Sequence, residues 1–125
     1  MADDRARLLE LIEEHAVKRG HFILASGRES NYYLDGRMVA LHPEGAYLIG
    51  KLLFAQMADL DVQAVGGLTM GADPVASAVS IVSYLEGKPV NAFLVRKEPK
   101  GHGTKKLVEG PLAPGSRVVI VEDTV

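Results

Sequence analysis

The run Val118-Val119-Ile120-Val121 sets four β-branched side chains in succession. Such residues are stiff at χ1 and suit a pleated strand, and a strand that is apolar on both sides needs cover on both faces. That demand points to a parallel sheet between helices rather than to a half-solvated antiparallel one. The expectation is a strand over residues 117–123, buried on both faces, with Glu122 and Asp123 at its tip. Two adjacent carboxylates there suit ribose hydroxyls, a metal ion or a developing cation, or else they are solvated acids at a strand end.

An upstream segment makes the same demand. Residues 62–65 are a short β-type run, followed by G-G-L-T-M-G-A. Asp73-Pro74 then supplies an N-cap and a first helical residue for a helix through Val75, Val79, Val82 and Leu85. Gly87 ends it, Lys88-Pro89 turns the chain, and residues 90–95 form another strand. In a β-loop-α-β unit of this kind, ligands sit beyond the carboxyl ends of the strands, where Gly66, Gly67 and Gly71 fall ahead of a helix N-terminus. A purely structural turn accounts for those glycines equally well when they are taken alone.

Beyond the strand at 90–95 lies R-K-E-P-K-G-H-G, residues 96–103, with Lys105 and Lys106 close behind. Proline and glycine in this spacing prevent a regular helix or strand. The expectation is a mobile basic loop that closes over an anion, and a phosphate ester suits it because Arg and Lys donate charge-assisted hydrogen bonds to phosphate oxygens. The chain as a whole carries a formal net charge of −2, so the basic loop is local and a sequence-independent nucleic-acid binder is excluded. Cysteine is absent, which removes disulfides, thiolate metal sites and a cysteine nucleophile. The start, Met1-Ala2-Asp3-Asp4, lacks the pattern of a signal peptide, and no apolar run is long enough to span a bilayer, so the expected compartment is the cytoplasm.

Toward the N-terminus, residues 4–19 read as a surface helix. Leu8, Leu11, Ile12 and His15 share its stripe, Asp3 or Asp4 is the N-cap, Gly20 is the stop, and His15 is a partly buried packing residue. F-I-L-A-S-G-R-E-S-N-Y-Y-L-D-G-R, residues 22–37, reads as a hairpin-like cover turning at Ser26-Gly27. Ser26, Ser30, Tyr32, Tyr33 and Asp35 offer hydroxyls and aromatic faces to a flat polar ligand, with packing as the alternative for the tyrosine pair. His42-Pro43-Glu44 opens a helix in which Ile49, Leu53, Met57 and Leu60 are core positions, while Phe54 and Met57 supply volume.

A glycine turn, a basic loop and an acidic pair thus converge on one sheet edge, as a phosphorylated sugar with a pyrophosphate leaving group requires. The residues that carry these features resemble the orotate phosphoribosyltransferases of the type I phosphoribosyltransferase family. The resemblance rests on the hood segment at 22–37, G-G-L-T-M-G-A-D-P, R-K-E-P-K-G-H-G and V-V-I-V-E-D, and runs over essentially the whole chain. It implies an α/β fold, a parallel sheet flanked by helices with a small N-terminal hood. The hood would span about residues 1–40 and the core about 41–125 of a single domain. It further implies transfer of ribose 5-phosphate from 5-phosphoribosyl 1-diphosphate to orotate, giving orotidine 5′-monophosphate and diphosphate in pyrimidine synthesis.

By position, the resemblance implies that Arg96, Lys97, Lys100 and His102 contact the diphosphate and that Glu122 and Asp123 hold the ribose hydroxyls. Lys100, His102 and Asp123 become the catalytic candidates, and Ser26, Tyr32 and Tyr33 the hood residues near orotate. Mg2+ is implied as cofactor, held mainly by substrate oxygens, and a homodimer with shared active sites is implied as the assembly. Two departures stand out. Ala25 and Glu29 occupy positions where some family members carry a lysine, and the family motif continues past V-V-I-V-E-D with a Thr- and Gly-rich loop for the 5′-phosphate, whereas this chain stops at Val125. The C-terminal part of the fold is therefore expected to be missing and the apolar surface of residues 118–121 to be left exposed. Competing readings are a non-catalytic regulator that binds phosphoribosyl pyrophosphate and a related purine or xanthine phosphoribosyltransferase.

Overall fold

The computed structural model describes residues 2–99, 101 and 106–124. The first helix, α1 (Ala2–Leu11), runs directly into a π-helical turn (Ile12–Ala16), and the chain is extended from Val17 onward. The expected helix to Arg19 is therefore shorter. Val17, Lys18 and Arg19 pair with Leu34, Tyr33 and Tyr32 in an antiparallel hairpin of β1 (Val17–Ile23) and β2 (Glu29–Leu34). This pairing with a distant segment outweighs local helical preference. A bulge falls between Arg19 and Phe22, and Leu24 N donates to Arg28 O at 2.8 Å to close the turn around Ser26-Gly27, as expected.

The short helix α2 (Arg37–Ala40), which the hydrophobic pattern does not announce, leads into α3 (Pro43–Met57). His42 caps α3: its Nδ1 accepts from the backbone N–H groups of Glu44 and Gly45, both at 3.2 Å. The ring of half-buried His15 stacks on that of His42 at 4.9 Å, in keeping with a packing role. Arg7 reaches from α1 to Glu44 through two hydrogen bonds of 2.8 Å, which hold the Glu44 carboxyl below the usual carboxylate range. Because α3 ends at Met57, Leu60 lies in the turn beyond it and is exposed, contrary to the expected core position. Leu48, Phe54 and Met57 are the buried side chains of this helix, whereas Ile49 and Leu53 are half-buried.

The core sheet has the order β5-β4-β3-β6, formed by β3 (Ala64–Leu68), β4 (Asn91–Val95), β5 (Val108–Glu109) and β6 (Val118–Ile120). Strands β4 and β6 run parallel to β3, and β5 runs antiparallel to β4. Helix α4 (Ala72–Leu85) makes the crossover from β3 to β4. Its buried Ser83 joins helix to strand, accepting from Val90 N at 2.9 Å and donating to Ser80 O at 2.6 Å. Phe54, Met57, Val65, Val79, Val82 and Val90 form the main core, with Val119 and Val121 packed against it. Leu11, Ala16, Val39 and Leu48 form a second cluster under the hairpin end.

The last strand departs from the expectation of burial on both faces. Among the described residues, strand β6 is an edge strand paired with β3 alone; Val119 and Val121 turn inward, while Ile120 is 66% exposed and Val118 is 36% exposed. β-branched residues fill a strand whether or not a second layer covers it, so the sequence run reports strand rather than cover. The expectation that apolar surface of residues 118–121 stays exposed agrees with these values.

Candidate functional site

The carboxyl ends of β3, β4 and β6 are stitched together by backbone hydrogen bonds. Thr69 N donates to Val95 O and Val121 N donates to Gly66 O, each at 2.9 Å. The glycine turn after β3, the start of the basic segment after β4 and the acidic pair after β6 therefore leave the sheet side by side. The contact between turn and acids is direct. A Cβ placed on Gly71 would collide with Asp123 Oδ1 and Glu122 Oε1, and one on Gly67 would collide with Val121 O. Gly36, where the hairpin hands over to α2, packs 3.1 Å from Asp123 O by the same measure. The hairpin exit, the glycine turn and the acidic pair share one small volume.

Helix α4 begins two residues earlier than expected, at Ala72 rather than Pro74. Gly71 already has helical backbone angles, so Asp73 lies inside the first turn rather than at the N-cap. Its Oδ2 accepts from Thr69 Oγ1 at 2.9 Å, bracing the glycine turn, and its Oδ1 is buried with no hydrogen-bond partner among the described residues. Glu122 is exposed and Asp123 half-buried, and Glu122 Oε1 accepts from Asp123 N at 2.9 Å, which holds the Glu122 carboxylate against the backbone of its neighbour. Beside them opens a cavity of about 660 Å³, apolar where Leu8, Leu53 and Val75 line it and polar at Arg5, Glu122 and Asp123.

The basic segment is a hairpin connection, because β5 returns antiparallel along β4. Arg96 N donates to Leu107 O at 2.7 Å, closing the base, and Arg96 Nε donates to Glu109 Oε2 at 2.8 Å. Lys97 is exposed. The candidates Lys100 and His102 lie outside the described residues. In the hood, Ser26 Oγ accepts from Arg28 N at 3.4 Å within the turn, Tyr32 is exposed, and Tyr33 lies 5.9 Å from the Phe22 ring, so packing accounts for part of the tyrosine pair. Glu29 faces His21 across the hairpin at 3.9 Å. Gly36, Thr69, Asp73 and Glu109 were not singled out as site residues from sequence. Gly36 and Thr69 sit inside quoted motifs, whereas a two-residue strand leaves Glu109 no periodic signal.

No family model matches the chain. It is, however, 56% identical over 126 residues to the orotate phosphoribosyltransferase of Synechocystis sp., covering 100% of this chain and 63% of that protein. To the orotate phosphoribosyltransferase of Aquifex aeolicus it is 45% identical over 125 residues, covering 98% of this chain and 68% of the relative. The chain belongs to the orotate phosphoribosyltransferase family. Among solved structures of that family, the Mycobacterium tuberculosis H37Rv orotate phosphoribosyltransferase in complex with Fe(III) dicitrate superposes with a TM-score of 0.82 at 47% identity, over 95% of this chain and 66% of that one. The same enzyme in complex with 5-phospho-alpha-D-ribosyl 1-diphosphate gives a TM-score of 0.75 at 44% identity, over 95% and 64%. The fold is thus the type I phosphoribosyltransferase fold of this family, and the chain spans about two thirds of the length of these relatives. Among the described residues no helix is long and apolar enough to cross a membrane.

Proposed function

We propose that this chain carries the diphosphate and ribose side of an orotate phosphoribosyltransferase site. The reaction transfers ribose 5-phosphate from 5-phosphoribosyl 1-diphosphate to a ring nitrogen of orotate and releases diphosphate. The observation that carries the reading is the seating of Gly71 against Glu122 and Asp123, one hydrogen bond away from the strand end that launches Arg96. As the bond from the ribose carbon to diphosphate breaks, positive charge grows on the sugar and negative charge on the leaving group. Carboxylates on one side and cations on the other stabilise both.

In this reading Glu122 and Asp123 hold the ribose hydroxyls, Asp123 also faces the developing cation, and Arg96, Lys97, Lys100 and His102 receive the diphosphate. Ser26, Tyr32 and Tyr33 belong to a hood of about residues 1–40, which covers the orotate side of a core at about 41–125. Among the described residues no cluster of three or more His, Asp or Glu side chains gathers as a metal cage. Two carboxylates beside a phosphate site still fit Mg2+, which prefers substrate phosphate oxygens and retained waters to an all-protein shell and would neutralise charge on the leaving group. The assembly is a homodimer that shares its active sites, and the compartment is the cytoplasm.

The test is orotate consumption and diphosphate release by the chain with Mg2+ and 5-phosphoribosyl 1-diphosphate, alongside calorimetric binding of the latter. Turnover with orotate and none with purines supports the reading, and in a complete enzyme Lys100→Ala should remove most turnover while weakening binding only modestly. Failure both to bind 5-phosphoribosyl 1-diphosphate and to consume orotate would overturn the reading. Binding without turnover would leave a regulator in its place.

A further inference from the structure

We propose that Glu109 is a positioning residue: it grips the Arg96 guanidinium by its Nε edge and so presents the two terminal Nη groups to an anionic ligand at the carboxyl end of the sheet. The proposal rests on the reading above, in which Arg96 meets the diphosphate. Its geometry follows from the register of β4 and β5. Leu94 stands opposite Glu109, and Arg96 is two residues past Leu94, so Arg96 and Glu109 occupy the same face as diagonal cross-strand neighbours. Their side chains meet at 2.8 Å, with 41% and 34% of their surfaces exposed, open enough for a ligand to arrive.

The acceptor sits on a locked backbone. Gly110, the next residue, has φ of +105°, and a Cβ there would come within 2.8 Å of Ala92 O and 3.1 Å of Phe93 Cα. Phe93 in turn closes over Gly66 at the root of the glycine turn. Glu109 is therefore referenced to the same strands that place Gly71 and the acidic pair. Among the described residues Arg96 makes its one side-chain hydrogen bond through Nε and none through its Nη groups. A guanidinium held by one edge keeps its planar fork for a second acceptor and loses less freedom on binding than an untethered side chain.

The experiment is a double-mutant cycle on the full chain, with calorimetric titration of inorganic diphosphate in the presence of Mg2+. Removing a carboxylate from an anion site should, on Coulomb grounds alone, tighten binding. Positioning demands the opposite sign. Glu109→Ala should weaken diphosphate binding roughly tenfold, the scale of one charge-assisted hydrogen bond. Glu109→Gln, whose amide oxygen still accepts from Nε and which keeps the volume, should weaken it less. In an Arg96→Ala background, Glu109→Ala should cost clearly less than it does in the wild type. An equal loss in both backgrounds, unchanged binding, or tighter binding in Glu109→Ala would overturn the proposal while leaving the functional reading intact. A wild-type chain that binds no diphosphate would overturn both.

Discussion

Gly71 shows what one missing side chain contributes. Its backbone angles are ordinary helical values, so conformational freedom is not what the position needs. Space is what it needs, since the carboxylates of Glu122 and Asp123 occupy the volume a Cβ would take. Those oxygens are the mobile ends of side chains, so Gly71→Ala should cost little stability and instead push the acidic pair aside. The expected outcome is a melting temperature close to wild type, with affinity for 5-phosphoribosyl 1-diphosphate lower by about 10- to 100-fold, as when a bond to a charged acceptor is lost. Thermal melting and calorimetry on the same variant check this. A substantial drop in melting temperature with unchanged affinity would detach the glycine turn from the ligand.

At the scale of elements, α3 depends on an unusual cap. Histidine is not among the preferred N-cap residues, yet His42 Nδ1 accepts from two of the four N–H groups that a helix start leaves unsatisfied. His42→Ala should destabilise the fold by about 1 kcal/mol, and His42→Asp should restore most of it, read by denaturant unfolding. Equal stability of wild type and His42→Ala would show that solvent satisfies those groups as well as the ring does. The helices with strong apolar periodicity, the Ser26-Gly27 hairpin and the β-turn-helix-strand unit were legible in sequence, because local pattern and tertiary demand agree there. Other features were not. Val17 to Arg19 look helical until β2 pairs with them, Val108 and Glu109 are too short a strand to show a period, and the four β-branched residues at 118–121 look the same at a sheet edge as in its middle. At the site, the motif residues were visible because their chemistry is unusual in composition. The Glu109 contact with Arg96 was not, because it depends on register.

At the scale of the whole molecule, burial is divided unevenly between the sheet and the hairpin. Strand β3 lies between β4 and β6, its residues from Ala64 to Gly67 are buried, and α4 covers it with Val75, Val79 and Val82. Among the described residues the hairpin has two strands and no third. Most of its side chains are exposed, and its ring contact is the tilted pair Phe22 and Tyr33. A two-stranded ribbon is marginal by itself, so its persistence rests on its base, where Asp35 N donates to Ala16 O at 2.9 Å above the cluster of Leu11, Val39 and Leu48. Local opening of the hairpin should therefore precede global unfolding. In native-state hydrogen exchange, the amides of β3 and the middle of α4 should approach the global unfolding free energy. Those of the outer β1–β2 pairs, from Phe22↔Ser30 to Ile23↔Glu29, should exchange at least about 30-fold faster, an opening free energy roughly 2 kcal/mol lower. A hood that opens below the global barrier can admit and release a flat ligand without disturbing the sheet edge that holds the acidic pair. Hairpin amides as slow as those of Val65 would tie the hood rigidly to the core and remove that route.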